Sequence, residues 1–326
     1  MQAFRRYPRF AFVALSRGIG HMPRRFALTT LMVALAAGMI GIGAGAASAA
    51  KPEVQKTNHG HEFKSKDAKN ISIFGNRSPN LTNHGGPIMT SSVVVPVFWG
   101  TQWSSSTFVG DKQSGMNSFY AGWSGSKYSK TTTEFGSSNG QVSGNVTYVN
   151  NSYLTDTSAG PSSPPPTTMI VGEIQKLVTN GSINPVSNGY YPVYTDLRRG
   201  NAGYCAWHDT GSVTKSGTSV QIQVAFFFNL DGDSGCDPQD LGTSHSQGLE
   251  AIANVSGHEL SEAETDPHLN AWYDRQGYEN ADKCAWHFHA NSTFSNGSVW
   301  KIQGNWSNAA YNARSGYYNY GCIDGN

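Results

Sequence analysis

The sequence predicts a single α+β domain, with a mixed or antiparallel sheet, one central helix that carries the candidate site, and two disulfides. Three observations lead there. From His84 to Cys322 no second linker divides the roughly 240 residues, which suffices for one sizeable core. Strand-like runs rich in Val, Ile, Tyr and Phe, bounded by Gly, Pro, Asn and Ser, recur along that stretch. One long segment near residue 255 has helical periodicity instead.

Taken in order, residues 1–49 read as a secretory leader. Arg5, Arg6, Arg9, Arg17, Arg24 and Arg25 precede an apolar run, and Ala47-Ser48-Ala49 follows as a small-x-small cleavage signal. Met22-Pro23-Arg24-Arg25 is the better start of such a signal. The apolar run is the only one that approaches the length of a membrane span, so no span is expected in the mature protein. Residues 50–83 are polar, with five lysines and few large apolar side chains, and read as a flexible linker or short pro-segment. The domain proper is then 84–326.

Within it, 91–99 (SSVVVPVFW) reads as a buried strand, with Pro96 marking an edge or bulge. Residues 141–149, 167–173, 190–194, 220–229 and 299–306 are further strand candidates. Residues 112–120 and 174–180 are candidate short helices, and Pro161 to Pro166 form a stiff connector. Asp231-Gly232-Asp233-Ser234-Gly235 begins like a calcium loop but lacks the closing glutamate, which favours a turn. Trp272, Tyr273, Trp286, Trp300 and Trp306 could floor a carbohydrate groove, although such aromatics are more often core.

Without residues 1–49 the 23 basic residues fall to 17 against 22 acidic, a net charge of −5. A mildly acidic, Lys-poor surface argues against nucleic acid as a partner. Cys205, Cys236, Cys284 and Cys322 allow three pairings; sequence neighbours favour Cys205–Cys236 and Cys284–Cys322. A four-cysteine zinc site is the rival, but no C-x-x-C pair exists.

The clearest helix spans 246–264. At 100° per residue Leu249, Ala253, Ser256, Leu260 and Ala263 share one face, and Glu250, Asn254, His258 and Glu262 form a polar line elsewhere. Asp266-Pro267 ends it. The simplest reading of the polar line is a solvated face with a His–Glu pair four apart. Against it stand Gly257, which weakens a helix unless packing requires it, and a second acidic cluster at Glu279 to Asp282.

His258-Glu259-Leu260-Ser261-Glu262 resembles the H-E-x-x-H helix of zinc hydrolases, with glutamate in place of the second histidine. A helix that supplies two ligands four apart, followed about twenty residues later by a carboxylate, is the thermolysin-like layout. The expectation is a metal held by His258, Glu262 and Glu279 or Asp282, with Glu259 as general base. Asp266 and His208 are further candidates. The extra carboxylate hardens the site, so calcium or another divalent cation competes with zinc.

The His258-Glu259-Leu260-x-Glu262-x-x-x-Asp266-Pro267 run, then Asn270-Ala271-Trp272-Tyr273 and Glu279-Asn280-Ala281-Asp282-Lys283-Cys284, resembles the phosphate-induced protein (Exordium-like) family, here its bacterial branch. His84-Gly85-Gly86-Pro87, 91–99 and Cys205-Ala206-Trp207-His208 recur in the same order. The resemblance implies a secreted, extracellular or periplasmic protein associated with the cell wall, and carries over no established catalytic activity. Two functions follow as expectations. One is a secreted metal-dependent hydrolase acting first on peptide bonds, or on a cell-wall polymer. The other is a non-catalytic extracellular protein whose cluster is a structural metal site or hydrogen-bond network. Oligomeric state stays open.

Overall fold

The computed structural model describes residues 58–68, 80–239 and 242–326. The expected leader, 1–49, lies outside them, as do 50–57 and 69–79 of the expected linker. The described chain is α+β, built on one eight-stranded mixed sheet. Its strands are β1 (His61–Lys64), β2 (Ser92–Val94), β3 (Val97–Trp99), β4 (Val146–Thr147), β5 (Leu154–Asp156), β6 (Gly189–Arg198), β7 (Tyr204–Lys215) and β8 (Thr218–Asn229). The order is β1-β7-β8-β6-β2-β4, with β3 pairing β6 and β5. β1, β7 and β8 run antiparallel to one another, and the remaining pairs are parallel.

Local chemistry explains the sheet. Pro96, which has no N–H to give, separates β2 from β3 where the sequence places an edge or bulge. The long hairpin β7–β8 closes through Ser216 and Gly217, both at positive φ (50° and 80°), as a two-residue turn between right-twisted strands requires. Cys205–Cys236 and Cys284–Cys322 form the two disulfides that sequence neighbours favour.

Helices α1 (Lys112–Trp123), α2 (Thr167–Thr179) and α3 (Gln247–Thr265) pack on this frame. Alternation along β7 aims His208 at α3, while Gly211 on the opposite face lies against Val171 of α2. α1 meets α3 where Gly115 leaves room for Leu249; a Cβ there would lie 2.2 Å from the leucine. A chain of hydroxyls, Tyr120 to Tyr194 (2.7 Å) and Tyr194 to Ser256 (2.7 Å), ties α1, β6 and α3 together. Trp300 and Trp306 are buried core residues, and Asp231 to Gly235 forms a turn whose carboxylates pair with Lys112 and Arg199.

Three expectations are corrected. Residues 167–173 are helical, because Ile170, Ile174, Leu177 and Val178 bury one face at helical spacing and override the β propensity of Thr and Val. Residues 204–215, for which the sequence reading names no element, form the long strand β7. Of 141–149, only Val146–Thr147 joins the main sheet. Residues 299–306 split into Val299–Trp300 and Asn305–Trp306, which pair separately with Ser292–Thr293 and Cys322–Ile323.

The described part of the expected linker is packed on the domain. β1 pairs with β7, and Phe63 is fully buried. The edge ladder, the buried ring of Phe63 and the His61–Asp282 and Asp67–Arg199 pairs hold a segment that is polar elsewhere.

Candidate metal centre

α3 starts at Ser246, whose Oγ accepts the Leu249 N–H (3.2 Å) as an N-cap. It ends at Asp266, where Pro267 blocks a further turn and Asp266 Oδ1 accepts the N–H groups of Asn270 and Ala271, both at 2.6 Å. Every residue from Gly248 to Thr265 is buried. The polar line is therefore no solvated face. Asn254 Oδ1 accepts the Gln303 N–H (2.9 Å), and His258 and Glu262 look into a closed polar chamber. Gly257 has the packing reason its position demands, since a Cβ there would stand 3.3 Å from the Tyr128 hydroxyl.

Three other segments reach the chamber. The stretch 279–284 is tied to α3 by Asn280 Nδ2, which donates to Ser261 O and Thr265 Oγ1 (both 3.1 Å), and by the Asp282 N–H, which donates to Glu262 Oε1 (3.0 Å). This brings Glu279 and Asp282 over the helix, and the Cys284–Cys322 disulfide locks the stretch from behind. β7 delivers His208, and β1 delivers His61.

The groups converge at close range. His258 Nε2 lies 3.0 Å from Glu262 Oε1 and 3.6 Å from Asp282 Oδ1. His208 Nε2 lies 3.6 Å from Glu262 Oε2 and 3.5 Å from Glu279 Oε2. His61 Nε2 contacts Asp282 Oδ2 at 2.5 Å, with Nδ1 3.7 Å from Glu279 Oε1. Glu259, also fully buried, offers an oxygen to the same group as His208 and Glu262. Only His61, with 20% of its side chain exposed, reaches solvent appreciably.

Burial dominates the electrostatics. It drives Glu259 and Glu279 far above the usual carboxyl range, with the neighbouring carboxylates adding to the shift. Burial likewise pushes His208 well below the ordinary imidazole value, helped by the other two histidines. For His61 burial acts downward too, but the Asp282 carboxylate outweighs it and raises the ring to about 9. Burial also lifts Asp266 to about 6 against its two backbone hydrogen bonds.

Hydrogen bonding discriminates between the imidazoles. Gln303 is oriented by backbone: its Oε1 accepts the Trp286 N–H (3.1 Å) and its Nε2 donates to Ala281 O (2.7 Å). The second proton of that nitrogen therefore faces His258 Nδ1 at 3.1 Å, and Nδ1 accepts. A ligating histidine usually donates from its other ring nitrogen, so His258 is inverted as a ligand. His208 has no such constraint, because both of its buried ring nitrogens lack a hydrogen-bond partner, as do Glu262 Oε2 and Glu279 Oε2. Among the described residues two donor sets lie close enough together to share a cation: His208 with Glu259 and Glu262, and His61 with Glu262 and Asp282.

The structure thus gathers His258, Glu259, Glu262, Glu279, Asp282 and His208 in one chamber. Asp266 serves chiefly as a helix stop. His61 is absent from the sequence reading because it sits in a segment too polar to suggest a strand. His208 stands there only as a further candidate, yet it is central. The alternation of Cys205, Trp207 and Asp209 with Ala206 and His208, ahead of a β-rich run, is the signal that marks its strand.

No protein-family model, no curated protein and no solved structure matches the chain.

Proposed function

We propose that the chain is an exported metal-dependent hydrolase, with peptide bonds as the first substrate class. One observation carries this: a fully buried histidine, His208, aims an unpartnered nitrogen between the carboxylates of Glu262 and Glu279. Burying such groups without partners is unfavourable by several kcal/mol unless something compensates, and a cation does. One imidazole with several carboxylates suits zinc and admits calcium or manganese. Bound there, the cation supplies Lewis-acid polarisation and a more acidic water. With a cation there to offset burial and keep its carboxyl ionised, Glu259 of the same group would be the base that takes the proton of that water. Two disulfides fit an extracellular or periplasmic protein, and no helix among the described residues is long and apolar enough to cross a membrane. The resemblance to the phosphate-induced protein family points to the same compartment.

The near-complete burial of the cluster favours a second reading, a non-catalytic domain in which the same groups hold a structural cation. Elemental analysis of the purified full chain, before and after chelator, combined with Glu259→Gln, decides between them. The hydrolase reading expects about one divalent ion per chain, and peptide hydrolysis that Glu259→Gln abolishes while the ion stays. An ion without hydrolysis in either protein leaves the structural-cation reading; no ion sinks the hydrolase and leaves the cluster as a hydrogen-bond network of a non-catalytic domain.

A further inference from the structure

We infer that the edge of β7 beside the cluster is a groove for an extended polypeptide carrying an aromatic residue, and that β1 is its resident occupant. The inference rests on the hydrolase reading for its meaning, since it names the substrate class and explains why the cluster is covered.

Without β1, β7 would be the edge of the main sheet. β1 adds antiparallel to that edge, with His61 opposite His208, Glu62 opposite Trp207 and Phe63 opposite Ala206. Strand addition of this kind recognises main chain by its ladder and sequence by alternate side-chain pockets. The pockets are visible here. His61 points into the cluster, where its ring pairs with Asp282 and approaches Glu279. Two residues on, Phe63 is sandwiched between His258 and Trp286, with ring centroids 3.8 Å and 4.7 Å away and planes tilted by 17° in each case. Trp286 Nε1 also donates to Lys64 O (2.8 Å), a contact to backbone that any residue could accept. Lys64 points outward and is half exposed.

The slot therefore selects an aromatic side chain two residues after the one that faces the cluster, and little else. β1 is held in the groove by its ladder, by Phe63 and by the His61–Asp282 pair, and a further anchor lies beyond it. Asp67, largely exposed, pairs with Arg199, which also grips Asp233. A substrate would have to displace β1, so the same segment acts as an internal competitor.

The test uses the full chain and a fluorescein-labelled peptide, His-Gly-His-Glu-Phe-Lys-Ser-Lys-Asp, copying residues 59–67. Asp67→Ala loosens the anchor without touching the core, and a His61→Ala/Phe63→Ala double variant empties the pockets. Both should bind the peptide at least about tenfold more tightly than wild type by fluorescence anisotropy. Replacing the peptide's Phe by Ala should abolish that gain. Amide exchange at Ala206 to His208 should quicken in Asp67→Ala and slow again with peptide. If variants that keep the wild-type circular dichroism bind no better than wild type, the groove is overturned. Ion content measured on the same samples judges the metal site separately: peptide binding without an ion upholds the groove and removes the hydrolase.

Discussion

The side-chain amide of Gln303 donates a hydrogen bond to Nδ1 of His258 across 3.1 Å, so the ring's N–H resides on Nε2, facing Glu262. That one contact separates two histidines which the sequence alone treats very differently. His258, on the motif helix, is the obvious ligand; His208, on a strand, is the one whose ring nitrogens both lack a hydrogen bond.

The first prediction concerns this tautomer. Long-range ¹H–¹⁵N correlation spectra of the cation-free protein should show His258 protonated at Nε2 and bare at Nδ1. Gln303→Leu strands the Trp286 N–H and the Ala281 carbonyl as well, and should destabilise by about 1–3 kcal/mol in urea unfolding. A protonated Nδ1 in the wild-type protein would refute the assignment.

Ligand substitutions should rank accordingly. His208→Ala should weaken cation binding by at least about a hundredfold in calorimetric titration, and His258→Gln by about tenfold, the lower end of a supporting shell. The reverse ranking would restore the motif helix as the main ligand source.

Acid–base behaviour should betray Glu264. Burial raises its pKa to about 8, opposed by the Thr132 hydroxyl at 2.9 Å. The unfolded carboxyl titrates near 4.5. Between these values the folded state binds a proton that the unfolded state lacks, so its stabilising contribution is complete below about 4.5 and declines up to about 8. Glu264→Gln should flatten that decline and be more stable than wild type at pH 8, as melting curves across pH 4–9 would register. A parallel shift at all pH values would contradict the assignment.

Removing the Cys284–Cys322 bridge with a Ser pair should cost about 3–4 kcal/mol, from a sequence separation of 38. It should also reduce cation affinity, because the bridge backs the stretch that carries Glu279 and Asp282. Unchanged affinity in a destabilised but folded variant would show that α3 alone positions these carboxylates.

Much of the site was legible in one dimension because helices are local. His258, Glu259 and Glu262 share a chamber through a spacing of one and four, and Asp266-Pro267 stops the helix through chemistry of its own two residues. Gly257 announced a close neighbour without naming Tyr128. The misreadings have a common origin. Thr167 to Glu173 look β-prone residue by residue, and only the buried stripe of Ile170, Ile174 and Leu177 makes them helical.

The amino-acid order by itself determined the α+β class, the site-bearing helix with its cap and stop, and the favoured cysteine pairing. Those features depend on neighbours within a few dozen residues. Tertiary structure decided which imidazole is unpartnered, that His61 joins the cluster, and that the polar line of α3 is buried rather than wet. Each of these is a contact between segments 40 to 220 residues apart. Periodicity shows which residues share a face; only packing shows what that face meets.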